Sequence, residues 1–199
     1  MINIICTLLC LPGYLVQILT HVFDLLDQDI ALQIHVPEGS QFHAGDILAE
    51  VSGNARNVLT GERVGLNLLQ HMSGIATATA KAVQSVSGYK ARITDTRKTT
   101  PGLRHLEKYA VRCGGGVNHR FNLSDGVLIK DNHIVAAGGI QKAVAAAKGS
   151  APHTLKIEVE VENIDMLREA LDAGADIIML DNMTCDEMRE AVAIVDGRA

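Results

Sequence analysis

The stretch Lys156-Ile157-Glu158-Val159-Glu160-Val161 decides the fold of this chain of 199 residues. Its alternation places two carboxylates on one face of a β-strand and three branched aliphatic side chains on the other face. A helical pattern follows from Asn163 to Ala173, and Gly174 marks its end. A strand with one apolar face, followed at once by a helix, is typical of an α/β protein.

The same strand–helix unit is predicted at three further places along the chain. The predicted strands cover residues 91–95, 126–130 and 176–180, and the predicted helices cover 103–113, 140–148 and the segment from Thr184 onward. Lys130, Glu160 and Asp181 stand where strands end, which is where barrel enzymes collect their catalytic groups. Four parallel strands cannot close the usual eight-stranded barrel. The sequence therefore predicts a partial (β/α) barrel and an incomplete chain.

The first third of the chain has a different pattern. Apolar residues alternate with polar ones over 32–36, and the turns at Pro37-Glu38-Gly39 and Ala44-Gly45-Asp46 flank a second strand over 47–51. A long helix is predicted from Gly61 to Val86, with an apolar face formed by Val64, Leu68, Met72 and Ile75. We therefore expect a partial N-terminal α+β sandwich domain over residues 1–68 and the incomplete α/β barrel over residues 69–199.

The charge distribution favours a small anionic ligand. No lysine or arginine precedes Arg56, whereas the segment 97–130 carries seven bases against two acids. Such a local basic field in a chain of net charge −5 suits a small anion better than a long polyanion. Nucleic-acid binding is disfavoured, because no aromatic side chains interleave with these bases. A solvated helix face is the alternative explanation for some of them.

The apolar N-terminus predicts a buried helix over residues 14–26 and neither a membrane span nor a signal peptide. It has no basic residues, and Pro12-Gly13 interrupts the apolar run. The four cysteines form no CxxC pair and no metal-like cluster with histidine, which indicates free thiols in a reducing compartment. A cytoplasmic location is the expectation.

Two loops and two carboxylates carry the candidate chemistry. In the loop that begins at Thr96, Arg97 offers a planar fork to an anion and Lys98 offers a compact charge. The segment Cys113 to Arg120 contains three successive glycines, which could cradle a phosphate, form a mobile lid or make a plain tight loop. His119 and Arg120 end the segment, and Arg120 offers a second planar guanidinium to an anion.

The carboxylates Glu160 and Asp181 could bind ribose hydroxyls, hold a divalent cation or stabilise a developing positive charge. They could also merely neutralise Lys130, since a buried charge must be paired.

A set of longer strings occurs in order from about residue 10 to the last residue. These are Gly61 to Asn67, Ser73 to Thr77, Asp95 to Arg104, Glu107 to Val111, Cys113 to Arg120, Leu128 to Ile134, Ile157 to Asn163 and Gly174 to Asn182. In these strings the chain resembles the quinolinate phosphoribosyltransferase family. The first nine residues have no counterpart in that pattern.

The resemblance implies an enzyme of NAD biosynthesis. The family condenses quinolinate with phosphoribosyl pyrophosphate, assisted by Mg²⁺, and releases nicotinate mononucleotide, CO₂ and pyrophosphate. It implies a homodimer or higher homo-oligomer in which Arg63 reaches the active site of the partner. The family continues with strands whose glycine-rich loops hold the 5′-phosphate, so we expect this chain to be less stable than a longer relative and to turn over poorly.

The resemblance also implies roles for individual residues. Those around the two carboxylates of quinolinate would be Arg63, Arg97, His119 and Arg120. Lys98 and Lys130 would face phosphoribosyl pyrophosphate, and Thr96 would lie beside them. Glu160 and Asp181 would contact the ribose and hold the metal, and the catalytic set would be Lys130, Glu160 and Asp181.

Two alternatives to a complete enzyme stay open at this point. One is a fragment that binds ligand or a partner without turnover. The other is a related phosphoribosyltransferase that acts on a different pyridine substrate. The number of arginines available for two carboxylates favours quinolinate.

Overall fold

The structure, a computed structural model, describes residues 2–5, 15–37 and 39–199. It contains two compact units, of which the first ends at Phe121 and the second covers Asn122–Ala199. The domain boundary expected between residues 68 and 69 stays a prediction, and the helix that contains these residues passes through them without a break. The described residues do not include Cys6, Cys10, Pro12-Gly13, Tyr14 at the start of the first predicted helix, or Glu38 of the first predicted turn.

A small antiparallel sheet forms part of the first unit. Its strands are β1 (Ile2–Ile5), β2 (Ala31–Ile34) and β3 (Ile47–Ser52), with β3 in the centre. The helix α1 (Leu15–Asp24) buries Leu19 and Phe23, each 2% exposed. The prediction of a helix followed by two short strands is confirmed. The helix buries one face, since Gln17, His21 and Asp24 are exposed, and Ile34 of the alternating segment is 40% exposed.

The long helix α2 (Ala55–Ser85) begins six residues before the predicted Gly61. Its N-cap is Asn54, whose side chain accepts a hydrogen bond from the backbone N–H of Arg56 at 3.0 Å. Its buried stripe comprises Val58, Gly61, Gly65, Leu69, Met72, Ser73, Ala76 and Thr79.

The predicted apolar face of α2 was therefore wrong in register. Val64 is 54% exposed, and Met72 is the one fully buried member of the predicted set of four. Glycines occupy two positions of the true stripe and give no hydrophobic signal. A Cβ on Gly65 would lie 2.7 Å from Cδ2 of Leu19, so α1 packs where these glycines leave room.

In the rest of the first unit, the strand predicted over residues 91–95 is wrong. Residues 91–95 form no strand, and a single parallel bridge joins Thr94 to Val117. The pairing cannot extend, because Val117 belongs to a glycine-rich loop that follows the helix α3 (Arg104–Cys113). The prediction of α3 over 103–113 is confirmed to within one residue.

The second unit is a parallel α/β layer. Its strands β4 (Val127–Ile129), β5 (Ile157–Val161) and β6 (Ile177–Leu180) are adjacent in that order. Its helices are α4 (Asp131–Ala137), α5 (Ile140–Ser150), α6 (Ile164–Asp172) and α7 (Cys185–Val195). These strands and three of these helices were predicted, and Thr184 is the N-cap of α7 as expected. The short α4 was not predicted.

The two faces of this parallel sheet differ in chemistry. The apolar face packs into a core with α5, α6 and α7 that includes Ile129, Val159 and Val161. On the opposite face the register pairs Glu158 with Leu128 and Glu160 with Met179. The predicted division of β5 into an apolar and a carboxylate face is confirmed.

The structure bears on two further features of the sequence, its apolar segments and its cysteines. No helix among the described residues has both the length and the hydropathy needed to cross a membrane. Cys113 and Cys185, the two cysteines that the structure describes, are both free thiols.

Candidate functional site

The loop that carries Arg97 and Lys98 is a tight turn held by its own polar groups. The hydroxyl of Thr96 accepts a hydrogen bond from the backbone N–H of Lys98 at 3.0 Å. The carbonyl of Arg97 accepts from the N–H of Thr99 at 3.0 Å. Arg104, at the start of α3, donates from Nε to the Thr99 hydroxyl at 3.1 Å. The turn leaves Thr96 and Lys98 exposed, where an anionic ligand can reach them.

Arg97 carries an unsatisfied donor. Its side chain is half-buried, and within the part of the chain that the structure describes its buried Nε has no hydrogen-bond partner. Leaving a buried donor unpaired costs about 1–3 kcal/mol, and more for a charged group. A carboxylate ligand would remove that cost, since a guanidinium fork pairs with two carboxylate oxygens.

A buried carboxylate anchors the far end of the same loop. Oε2 of Glu107 accepts from the backbone N–H of Thr100 at 3.1 Å, and Oε1 lies 2.9 Å from Nε2 of His71. Burial raises the pKa of the Glu107 carboxyl, but the hydrogen bonds from His71 and Thr100 outweigh it, so the pKa is lowered overall. Glu107 is therefore an ionised anchor between α2, α3 and the loop.

The segment around His119 is fixed by a second set of buried charges. Asp95 and Lys108 form an ion pair with side chains 7% and 2% exposed. The N–H of His119 donates to Oδ1 of Asp95 at 2.9 Å, and Nζ of Lys108 donates to the His119 carbonyl at 3.0 Å. Arg120, the next residue, is half-buried.

The three successive glycines pack against α2 and α3. A Cβ on Gly114 would lie 2.4 Å from the carbonyl oxygen of Ala76, and one on Gly116 would lie 2.8 Å from Cγ1 of Val111. Gly115 has a φ of +85°, which side-chain-bearing residues rarely adopt. Of the three interpretations of this run, the plain tight loop is the one that the packing supports.

Arg63 stands apart from these groups. It is exposed on α2, and its guanidinium makes no hydrogen bond or ion pair with any residue that the structure describes. The structure thus brings Arg97 and His119 onto elements joined to α3, and it does not bring Arg63 to them.

In the second unit, three predicted residues lie at the carboxyl ends of adjacent strands. Nζ of Lys130, directly after β4, lies 2.5 Å from Oε2 of Glu160 in β5. Their side chains are 42% and 14% exposed, so the pair is open to solvent on the lysine side. Asp181 follows β6, and its backbone N–H donates to the carbonyl of Val161 at 2.9 Å.

The carboxylates of Glu160 and Asp181 have different partners. Glu160 neutralises Lys130, whereas Oδ2 of Asp181 accepts from Nδ2 of Asn182 at 2.9 Å. Pairing with Lys130 therefore explains the carboxylate of Glu160 but does not explain that of Asp181. No group of three or more potential metal ligands occurs among residues 2–5, 15–37 and 39–199.

Sequence reasoning missed the residues that hold the loops. They comprise Asp95, Arg104, Glu107 and Lys108, which were considered only as charges or as parts of motifs, and His71, which was not considered. One signal was available: Glu107 and Lys108 occupy a helix whose positions 106 and 110 are apolar, so both charges fall near its inward side. Charged residues at such positions are rare unless they are paired.

Two family models match the chain. One, described as quinolinate phosphoribosyl transferase, C-terminal domain, covers residues 75–199, and one described as the N-terminal domain covers residues 16–73. Together they cover most of the chain.

Curated proteins and solved structures give the same result. A probable nicotinate-nucleotide pyrophosphorylase (carboxylating) of Bacillus subtilis is 53% identical over 167 residues, which are 84% of this chain and 58% of that protein. The Homo sapiens nicotinate-nucleotide pyrophosphorylase (carboxylating) is 43% identical over 180 residues, 88% of this chain and 61% of that protein.

The crystal structure of NadC from Streptococcus pyogenes matches with a TM-score of 0.91 and 45% identity, covering 98% of this chain and 68% of that one. The nicotinate-nucleotide pyrophosphorylase of Francisella tularensis matches with a TM-score of 0.86 and 42% identity, covering 99% of this chain and 72% of that one. The predicted α/β class, with a small antiparallel sheet ahead of a partial parallel part, is confirmed.

The chain spans about three fifths of the length of the curated relatives that it matches, from 58% to 61% for the Bacillus and human proteins. The family models, the identities and the shared fold all agree with the family resemblance of the sequence. The chain belongs to the quinolinate phosphoribosyl transferase family.

Proposed function

We propose that the chain acts in NAD biosynthesis as a phosphoribosyltransferase that converts quinolinate and phosphoribosyl pyrophosphate to nicotinate mononucleotide, CO₂ and pyrophosphate. The observation that carries the proposal is the buried, unpartnered Nε of Arg97 in a loop that is pinned to α3. The Bacillus subtilis relative that is 53% identical bears the name of a probable carboxylating nicotinate-nucleotide pyrophosphorylase, which is the same activity.

Quinolinate is the ligand of the first-unit residues in this proposal. Its two carboxylates require two forks, which Arg97 and Arg120 supply, and His119 contributes a further donor. Each charge-assisted contact contributes about 1.5–3 kcal/mol. Rigid loops increase the binding affinity, because a bound dicarboxylate then meets donors that are already oriented.

Phosphoribosyl pyrophosphate is the ligand of Lys130, Glu160 and Asp181 of the second unit in this proposal. Lys130 supplies a compact positive charge for its phosphates. As the bond from ribose C1 to the pyrophosphate oxygen breaks, positive charge develops on the ribose ring, and the carboxylates of Glu160 and Asp181 stabilise it. The pyridine nitrogen then forms the new bond to C1, and the 2-carboxylate leaves as CO₂ while a proton replaces it on the ring.

Mg²⁺ fits this set of donors. Magnesium prefers oxygen ligands and is usually held by one or two carboxylates together with substrate phosphates, without a complete protein cage. Glu160 and Asp181 would hold it, and it would neutralise charge on the departing pyrophosphate.

We also propose that the chain forms a homodimer or higher homo-oligomer through α2. Arg63, Val64 and Leu59 are exposed on this helix, so a cation and apolar surface are available to a second copy. In this proposal Arg63 acts in the partner's active site. A strictly monomeric mass by light scattering at micromolar concentration would contradict this proposal. A cytoplasmic location stays a prediction.

The test of the activity is a direct assay of the purified chain. Nicotinate mononucleotide and pyrophosphate should form from the two substrates in the presence of Mg²⁺. When quinolinic acid and nicotinic acid are supplied together, quinolinic acid should be the preferred substrate. Binding of quinolinate without any product would favour the ligand-binding alternative. Preference for nicotinic acid would favour a related enzyme with another pyridine substrate.

A further inference from the structure

The ion pair between Asp95 and Lys108 is among the most deeply buried polar features of the first unit. Both side chains are more than nine-tenths buried, and neither belongs to the predicted substrate contacts. Removing two charges from water costs several kcal/mol per ion, and their attraction repays this only when the geometry is excellent. An apolar pair of the same size is often as stable, so stability alone does not explain the pair.

What the charges hold is the backbone of His119. The carboxylate of Asp95 accepts from its N–H at 2.9 Å, and the ammonium of Lys108 donates to its carbonyl at 3.0 Å. Nδ2 of Asn118 donates to Oδ2 of Asp95 at 2.7 Å and to the Lys108 carbonyl at 3.0 Å. Both polar groups of one loop residue are thus fixed by one buried ion pair.

The same ion pair lies next to both segments that carry the guanidinium groups, the loop with Arg97 and the segment with Arg120. Asp95 directly precedes the loop of Thr96 to Thr100, and Lys108 is adjacent to Glu107, which holds the N–H of Thr100 at 3.1 Å. The helix α3 therefore contacts both segments through two consecutive buried charges, Glu107 and Lys108.

We propose that Asp95 and Lys108 are positioning residues that set the spacing of the two arginine forks for a dicarboxylate ligand. The proposal rests on the proposed function, in which Arg97 and Arg120 bind quinolinate. Neither residue touches the ligand; they act through the backbone of His119. A ligand with two carboxylates is sensitive to this spacing, whereas a ligand with one carboxylate is not.

The experiment compares Asp95→Asn, the double variant Asp95→Asn with Lys108→Met, and the milder Asn118→Ala. The double variant avoids leaving one buried charge alone, and Asn118→Ala removes two bonds to the network from an exposed side chain. Arg189→Ala is the matched control, because it removes an exposed ion pair with Asp186 in α7. Quinolinate and nicotinate binding are measured by calorimetry, and amide hydrogen exchange is measured at His119 and at Val159.

In the double variant, exchange at His119 should accelerate while exchange at Val159, in the core of the second unit, stays unchanged. Quinolinate affinity should fall about tenfold or more, which corresponds to the loss of one charge-assisted contact. Nicotinate affinity should change by less than about threefold. Asn118→Ala should give a smaller change in the same direction, and the control should change neither ligand.

Three results would decide against the proposal or separate it from the proposed function. Unchanged His119 exchange in both the double variant and Asn118→Ala would overturn it. Equal losses of quinolinate and nicotinate binding would also overturn it, since that pattern indicates general loss of structure. If the unmodified chain binds neither ligand, the proposed function fails, and the exchange at His119 still decides whether the pair anchors this loop.

Discussion

The two groups of candidate residues are held in different ways. In the second unit, Lys130, Glu160 and Asp181 are placed by regular strands, and the register of β4, β5 and β6 alone brings them to one edge of the sheet. In the first unit, Arg97 and His119 lie on irregular loops that are held by the buried side chains of Glu107 and Lys108 in α3. A periodic element places its functional groups through backbone hydrogen bonds, whereas an irregular loop depends on particular side chains.

The largest effect is expected where a loop depends on a buried charge. Lys108→Met leaves the carboxylate of Asp95 buried without its cation, which should lower the free energy of unfolding by about 3–5 kcal/mol. Urea denaturation monitored by circular dichroism measures it. Arg189→Ala, which removes an exposed ion pair of the second unit, should change it by no more than about 1 kcal/mol. If both variants lowered the free energy of unfolding by similar small amounts, the first-unit loop would not depend on its buried charge, contrary to this comparison of the units.

The next effect concerns ligand binding by the first unit. Arg97→Ala and Arg120→Ala should each weaken quinolinate binding by about 1.5–3 kcal/mol, because each removes one charge-assisted fork. Binding of phosphoribosyl pyrophosphate should change far less. Calorimetry with each ligand separates the two outcomes, and equal losses would contradict the assignment. Lysine at either position should rescue poorly, since it keeps the charge and loses the planar fork.

A pair of glycine substitutions compares loop packing with helix packing. Gly114→Ala should destabilise the chain by about 1–3 kcal/mol, because the new Cβ would meet the backbone of Ala76 at 2.4 Å. Gly149→Ala in α5 meets nothing within 4 Å and should stabilise the chain by up to about 1 kcal/mol. Thermal unfolding of both variants gives the comparison. Equal tolerance at the two sites would mean that the loop at Gly114 is not tightly packed.

The smallest effect concerns the pH dependence of Glu107. Its folded-state pKa is depressed by hydrogen bonds from His71 and Thr100, which outweigh burial. The stability that it contributes is therefore fully present above the usual pKa of a glutamate and is lost as the pH falls through the lower folded-state value. Glu107→Gln should be less stable than the unmodified chain at pH 7, and the difference should shrink below about pH 4.

Urea denaturation at several pH values measures this difference. Glu190→Gln, an exposed position on α7, serves as the control and should show no such trend. A stability difference for Glu107→Gln that grows as the pH falls would have the wrong sign for this account.

The sequence predicted the second unit well because its signals are periodic. The alternation in Ile157–Val161 specified which face of β5 was apolar, and the strand ends followed from it. The residue types at Lys130, Glu160 and Asp181 then suggested their chemistry. The short α4 was missed because its seven residues, Asp131–Ala137, are too few to show a helical repeat.

The first unit was predicted less completely for physical reasons. The stripe of α2 contains Gly61 and Gly65, which mark close approach of another helix and carry no apolar side chain. The segment 91–95 has the composition of a strand, but it pairs with Val117 through a single bridge. The arginines were predicted from motifs, whereas the ion pair beneath them joins residues 13 positions apart and leaves no local pattern.

The most direct test of the account is nuclear magnetic resonance of the side-chain Nε–H of Arg97 during a quinolinate titration. The account predicts that this buried, unpartnered donor gains an acceptor. Its proton resonance should therefore move downfield, and its exchange with water should slow as quinolinate saturates the chain. An Arg97 resonance that stays unchanged while calorimetry shows quinolinate bound would contradict the central claim that this fork receives the ligand.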